Sequence, residues 1–549
     1  MIAFQGLNYG EGWADGEFSD CRNISSVLYP CVSQRFGRTV EGAFNSPSTL
    51  HAKEGLLVID GTAVQHNGKT VGTVTEGRKQ TATIGNYVVI FPDKVAYNVA
   101  TEEFEQMEET YVVPEAVENG IQVENIVYWD GEVDGYVDDA GNVIDGVEIH
   151  TGHNDVDDVD YFFYYSLISD KWSAKFTNNS LTAGTADAFR FRVGDAVTIS
   201  GCQAHPENNK TVIIRGVEGN TLTFYENTFT EGKETNPVSF VREVPDLDYI
   251  CESNYRLWGT KGNTIYGSKY GDPFNFQVFD GLTGDSYYID VATDGEFTGC
   301  IPYSSHICFF KENTLHKLYG SKPSNFQLVT SQVYGVQAGS ERSMCIINET
   351  LFYKGVGGVY AYTGGVPELL TEKFSTKRFS EACAASDGER YYISMRSGDK
   401  WGVYVFDTAR NIWVQEDDMH CVDMAFHDGH VYLLSADGNL YKADEEASQA
   451  DIEWSVTFCP FNETVNERKG YSKFHMRLAL DAGAWLTVEM KRDHDRKWEK
   501  IYTMHNERAR TVSIPVLPAR CDSVEIRLSG KGKCLLRTFI REFFAGSDA

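Results

Sequence analysis

Seven stretches of the chain repeat one order of apolar and polar positions. A polar lead runs into four or five apolar or aromatic residues, then a Gly, Asn or Asp turn, then a second short run ending in aromatics. They cover residues 53–65, 85–98, 254–268, 305–319, 349–362, 388–407 and 428–443. β-Branched and aromatic residues around a turn-forming centre predict a β-hairpin at each. A repeated hairpin cannot bury both faces alone, so the copies must pack on one another. Radial packing that closes on itself is a β-propeller, here of six or seven blades. The aromatics at the hairpin ends (Trp258, Tyr266, Phe309, Tyr319, Tyr360, Tyr362, Trp401, Trp413, Tyr432) read as filling between blades rather than as a sugar-binding face.

Outside the repeats the pattern changes. Residues 1–47 form a turn-rich arm with little helical or strand period, and residues 48–99 hold the first part of the propeller. The repeat then stops, to resume over 246–450. The intervening segment divides into an acidic β region, 100–186, and a stretch of short strands, 187–245, that predicts a small SH3-like or OB-like barrel. Within it, only residues 100–111 have a helical look. From 451 to 549 strands alternate cleanly, as in Trp454–Phe458, Phe474–Leu480 and Trp485–Met490, and predict an antiparallel β-sandwich. The fold class expected is all-β.

Charge sharpens this division. The 549 residues carry a formal net charge of −30. Residues 101–160 hold 19 Asp and Glu and no Lys or Arg, whereas residues 461–549 hold 17 Lys and Arg against 12 Asp and Glu. The acidic balance disfavours ordinary nucleic-acid binding and an anionic membrane partner. Twelve cysteines without a C-x-x-C pair predict reduced, mostly buried thiols, and no secretory signal or membrane span is expected.

Candidate chemistry is sparse. Asp134, Asp138, Asp139 and Asp145 sit among glycines, but their spacing does not match a calcium loop. His150, His153, Asp155, Asp157, Asp158 and Asp160 form a second cluster without a defined ligand geometry. Both read as solvated acidic faces. Ser435, Asp437, Gly438 and Tyr441 echo a sialidase-type turn, with Gly misplaced and Tyr where Trp should stand; a turn between two strands accounts for them. G-x-S-x-G, H-E-x-x-H and phosphate-binding loops are missing from the sequence. No catalytic, cofactor or metal residues are assigned, and an enzyme is not expected. Arg477, Lys491, Arg492, Arg520, Lys531 and Lys533 of the last region, interspersed with acids, read as a solvated sheet face or a surface for an acidic neighbour.

Three stretches together resemble tail proteins of short-tailed bacteriophages and related prophages. The opening Gly6-Leu-Asn with Asn23, Tyr29-Pro30, Arg35 and Arg38 is similar to the N-terminal arm of such proteins. The run Asn254-Tyr-Arg-Leu-Trp258, Ile265-Tyr-Gly-Ser and Gly271-Asp-Pro-Phe-Asn-Phe276 resembles a Gly-Asp-Pro-x-Asn-Phe segment of propeller-bearing tail nozzle or hub proteins (the DNA-stabilisation type), and residues 320–326 look like a second form of that turn. The resemblance covers the arm and the blades and weakens over the acidic insertion. It implies a structural virion protein in a homo-hexameric ring below the portal and adaptor rings, with tail fibres or spikes as neighbours. On it, residues 1–47 and 451–549 would build a platform, and genomic DNA would pass without specific binding. The protein would be made in the host cytoplasm and reside in the virion tail. The alternative is a tail-associated propeller that binds a host receptor or a fibre. DNA carries about one negative charge per 1.7 Å of helix axis, so an acidic bore would repel it. Asp130, Glu132, Asp134, Asp138 and Asp139 are the channel-facing candidates; the alternative places the acidic segment as outer decoration.

Overall fold

The computed structural model describes residues 4–113, 121–129, 148–154, 159–166, 171–183, 190–219, 221–224, 229–230, 232–234, 236–444, 447, 449–493, 495, 497–505, 510–517 and 519–545. Among these the regular elements are strands and four short 3₁₀ turns, without an α-helix. The protein is all-β and of β-propeller type.

Seven four-stranded antiparallel sheets carry the repeat. They span residues 47–73, 80–106, 249–290, 299–332, 345–369, 380–417 and, for the seventh, 421–444 completed by Gly37–Ala43. Every predicted hairpin is the middle strand pair of one sheet. Leu56–Asp60 pairs with Ala63–His66 in the first, and His430–Ser435 pairs with Asn439–Asp444 in the last. The first and last hairpins therefore lie in different sheets, and an N-terminal strand completes the seventh.

The first strands of the sheets meet one another in sequence. Contacts join the second sheet to the third, the third to the fourth, the fifth to the sixth, the sixth to the seventh and the seventh back to the first. His51 joins the first sheet to the second, its ring nitrogens lying 3.1 Å from Thr81 Oγ1 and 2.7 Å from Thr83 Oγ1. Met344 packs on Gly299 between the fourth and fifth. Large rings fill the gaps between sheets: Trp258 lies within 6.4 Å of Phe309 and 5.3 Å of Phe326. Of the predicted ring set, Trp258, Phe309, Tyr360, Tyr362, Trp413 and Tyr432 are buried. Trp258 also faces Gly267 across its hairpin, where a Cβ would stand 2.7 Å from the indole, so only Gly leaves room there.

Two expectations change. Residues 100–111 are not helical: Glu103–Gln106 closes the second sheet and Glu109–Val113 opens the insertion. Phe104 packs over Gly72 of the first sheet, and Met107 is buried beyond the strand end. Tertiary pairing overrides a weak local preference. The N-terminal arm, read as lacking strand period, contributes five strands between Gly6 and Ala43. They are short, and Glu17–Arg22, Val32–Gln34 and Gly37–Ala43 pair with strands beyond residue 438, so no local alternation marks them.

Those arm strands complete a two-sheet terminal unit. One sheet runs Gly6–Leu7, Glu17–Arg22, Glu453–Phe458, Val524–Lys531, Trp485–Arg492, Glu499–His505. The other runs Ile24–Ser25, Val32–Gln34, Cys534–Ala545, Lys469–Leu480, Arg510–Pro515, with Arg520–Cys521 on Lys469–Leu480. Glu499–His505, flanked by a charged run, escaped the sequence pattern. The inner faces share one apolar core with the fifth and sixth propeller sheets. The insertion forms a single ten-stranded sheet: Leu181 opposite Leu222 joins the acidic region to the short-strand region.

Candidate functional site

The segment Gly271–Phe276 that carries the resemblance leaves the third sheet between Thr264–Gly267 and Tyr287–Asp290 and turns back on itself. Asp272 Oδ1 accepts the Phe274 N–H at 2.9 Å, a local bond that short acidic side chains favour in turns. Phe274 and Phe276 enter a core shared with Ile84, Phe91, Met107 and Leu257. Asn275, fully enclosed, holds the insertion. Its Nδ2 donates to Asp272 Oδ2 at 2.6 Å and to Asp195 Oδ1 at 3.0 Å, while its Oδ1 accepts the Ala196 N–H at 2.9 Å. Asp195 Oδ2 receives Arg242 Nη1 at 2.6 Å and the Arg192 N–H at 2.8 Å. Arg242 Nε and Nη2 donate to the Met107 carbonyl. Asp195, Arg242 and Asn275 are all buried. A buried pair with its remaining polar atoms bonded holds one geometry, and removing either partner leaves a costly charge. The second form of the turn, Gly320 to Phe326, uses Asn325 Oδ1 to accept the Ser321 and Lys322 N–H groups and sends Phe326 against Trp258 and Tyr287.

A second concentrated polar cluster lies where the first strands of the sheets meet. Arg342, on the 3₁₀ turn Glu341–Ser343, donates to the Ser48 carbonyl at 2.9 Å, to Thr49 Oγ1 at 3.0 Å and to the Lys79 carbonyl, and pairs with Asp423 at 2.9 Å. Asp423 also accepts the Leu50 N–H at 2.8 Å. One guanidinium thus links the first, second and seventh sheets. Burial pushes the Asp423 carboxyl up and draws the Arg342 guanidinium down, each against the attraction of the other. A cavity of about 370 Å³ remains beside the cluster. The hub strands of the third to seventh sheets each carry one cysteine, Cys251, Cys300, Cys345, Cys383 and Cys421. These follow one another at 49, 45, 38 and 38 residues, a sheet-to-sheet period carried in the sequence outside the hairpin pattern. Small side chains suit strands that converge on an axis. Burial raises the Cys383 and Cys421 thiols well above the ordinary thiol range, so they stay protonated and inert. Ten of the twelve thiols are buried.

A cleft of about 720 Å³ separates the seventh sheet from the terminal sandwich. Its cations are paired: Arg38 with Glu416 at 2.8 Å and Asp417, Arg22 with Asp418 at 2.9 Å.

Asp130, Glu132, Asp134, Asp138 and Asp139 lie outside the described residues, as do Asp145, Asp155, Asp157 and Asp158. His150 and His153 are on the strand Glu148–Asn154, with His153 opposite Asp160 in register. Among the described residues no group of three or more His, Cys, Asp and Glu is arranged to hold a metal ion. Asp437 sits in the turn before Asn439–Asp444 and accepts the Asn439 N–H, a role internal to its own hairpin. The basic residues Lys491, Arg492 and Lys531 pair with Glu525, Glu499 and Asp451, each at 2.8 Å. Among the described residues no helix is long and apolar enough to cross a membrane.

No family model and no curated protein matches the chain. Solved structures with loose similarity include Hsv2 of Kluyveromyces lactis (12% identity, TM-score 0.25, covering 48% of this chain and 88% of that one). Another is an exo-β-1,3-galactanase of Phanerochaete chrysosporium (9% identity, TM-score 0.20, covering 75% and 100%). Likeness at this level carries no argument about activity.

Proposed function

We propose that the chain is a structural, non-enzymatic virion component, a tail nozzle or hub protein of a short-tailed bacteriophage or related prophage. On this reading the seven sheets are the blades of one closed propeller, the short-strand half of the insertion is a small barrel, and the chain ends form a platform sandwich. The observation that carries the proposal is the use made of Gly271–Phe276. The residues behind the resemblance form a buried joint, Asp272–Asn275–Asp195–Arg242, that fastens an inserted unit to a blade. That is the behaviour of a building part, whose functional residues are surfaces and joints.

The Arg342 cluster sharpens the reading. Arg342 bridges the first, second and seventh sheets where their first strands meet, so side chains rather than an open bore fill that part of the sheets' centre. DNA would therefore travel between copies of the chain, not through one propeller. The expected assembly is a homo-hexamer below portal and adaptor rings, with tail fibres or spikes attached and DNA passing without specific binding. Imaging the purified particle tests this: six copies around an axial opening are expected, and a chain present in trimeric spikes would refute the nozzle assignment.

A further inference from the structure

We infer that two surfaces at opposite ends of the molecule bind each other between copies, so that the chain associates head to tail. The first surface surrounds the long excursion of the third sheet. Tyr255, Tyr270, Phe279, Leu282 and Tyr288 are 52% to 65% exposed there. They form a connected patch. Tyr255 and Tyr270 meet edge to face at 5.7 Å, Phe279 and Tyr288 do so at 5.6 Å, and the Tyr270 N–H bonds the Gly284 carbonyl two residues beyond Leu282. Large exposed apolar patches on a folded chain mark interaction sites. This one is also acidic: residues 270–296 hold six Asp and Glu and no Lys or Arg, with Asp280, Asp290, Asp294 and Glu296 exposed.

The second surface is the outer face of the sandwich sheet built on Lys469–Leu480. Phe474, Met476 and Leu478 point into the core with no exposure, so Lys473 and Arg477 face outward by strand alternation. Register places Ile540 opposite His475, between them, and Arg520 opposite Gly470. Phe544 lies over Gly470, where a Cβ would stand 2.4 Å from its ring. Ile540 and Phe544 are 50% and 46% exposed, and the one acid of the row, Glu542, is engaged by His475 at 2.8 Å. The face is basic and apolar where the first is acidic and aromatic. Tyr and Asp side chains suit Lys and Arg through cation–π contacts and ion pairs.

The two cannot meet within one molecule. The sandwich packs on the outer strand of the sixth sheet, Ile412–Asp417, and the third sheet stands three sheets away from the sixth in one sense and four in the other. Two different complementary patches make a heterologous contact, which yields closed rings or open filaments. The inference rests on the proposed function in one respect, that copies of the chain assemble; it adds which surfaces join them.

Sedimentation velocity of the full chain over a concentration series tests it. One variant, Lys473→Glu with Arg477→Glu, breaks the basic face; another, Phe279→Ser with Leu282→Lys, breaks the aromatic patch. The wild type is expected to exceed a dimer, more so at low salt, and each variant alone to remain at the 61.5 kDa monomer. An equimolar mixture should stop at a one-to-one dimer, because it retains one good patch and one good face. If either variant assembles like the wild type, these surfaces are wrong while the ring reading stands. If the wild type stays monomeric at every concentration, both fail. Should a double variant unfold, Ile540→Ser and Leu282→Ser alone are read in the same way.

Discussion

The seven four-stranded sheets and the two-sheet terminal unit are both β-structure, antiparallel but for Gly6–Leu7 on Glu17–Arg22, yet they are assembled in opposite manners. Six of the seven sheets take four strands in chain order, each hairpin closing over a few residues. The sandwich pairs Phe18 with Phe458 and Val32 with Leu536, partners more than four hundred residues apart. The seventh sheet shares that trait, since Gly37–Ala43 completes it. Local pairing is specified by the strand–turn–strand pattern itself. Distant pairing is specified only by what the rest of the fold leaves uncovered. The N-terminal arm thus serves both regions at once, as two strands in each sandwich sheet and one in the propeller.

The strongest way to break this contrast is to delete residues 1–43. Both sandwich sheets and the seventh sheet lose strands, a loss expected to exceed the 5–15 kcal/mol that typically holds a domain together. The near-UV circular dichroism should collapse; a sharp thermal transition in the truncated chain would show the arm to be dispensable. Next comes the hub. Arg342→Ala leaves Asp423 buried without its cation and should cost about 3–5 kcal/mol, read as a shift in urea midpoint. The double variant Arg342→Ala with Asp423→Asn should recover part of it, and a single-variant effect under 1 kcal/mol, roughly a surface-pair value, would reject the bridge.

A pH dependence separates packed interior from surface. His316 is enclosed in the fourth sheet between Thr293 Oγ1 at 3.0 Å and Thr330 Oγ1 at 2.9 Å, and burial lowers it to about 4. The folded state keeps it neutral, so its contribution is complete above the unfolded value near 6.5 and is lost as pH falls from there toward 4. About 3 kcal/mol is expected to disappear over that window. His51, lowered to about 4 by burial as well, acts in the same direction. His316→Gln should flatten the acid limb of stability against pH, and an unchanged slope would contradict the assignment. The smallest effect is at the insertion joint. Asn275→Ala strips bonds from Asp195 and the Ala196 N–H and should cost about 1–3 kcal/mol. Limited proteolysis should then cut within residues 109–242 sooner, while the seven sheets unfold at an unchanged midpoint. Equal loss in both would mean that the insertion is not a separable unit.

Candidate chemistry followed the same division. The rings that pack between sheets stand at fixed places in each hairpin, which is why Trp258, Phe309 and Tyr362 were readable as core. Arg342 and Asp423 were not, because an Arg in a Glu-Arg-Ser turn looks like any surface turn until the first, second and seventh sheets converge on it. Asn275 was visible as part of a motif, but its partner Asp195 lies 80 residues earlier, in a Gly-Asp pair that reads only as a strand start.

Short-range alternation and turn chemistry, written into consecutive residues, were enough to establish an all-β chain with seven hairpins, an interruption after the second and a different β unit at the end. The three-dimensional packing alone decided that the N-terminal arm is strand, that Ala100 to Tyr111 is not helix, and which buried charges meet. Such contacts gain their energy from desolvation among groups distant in the chain, and no local run of residues records it.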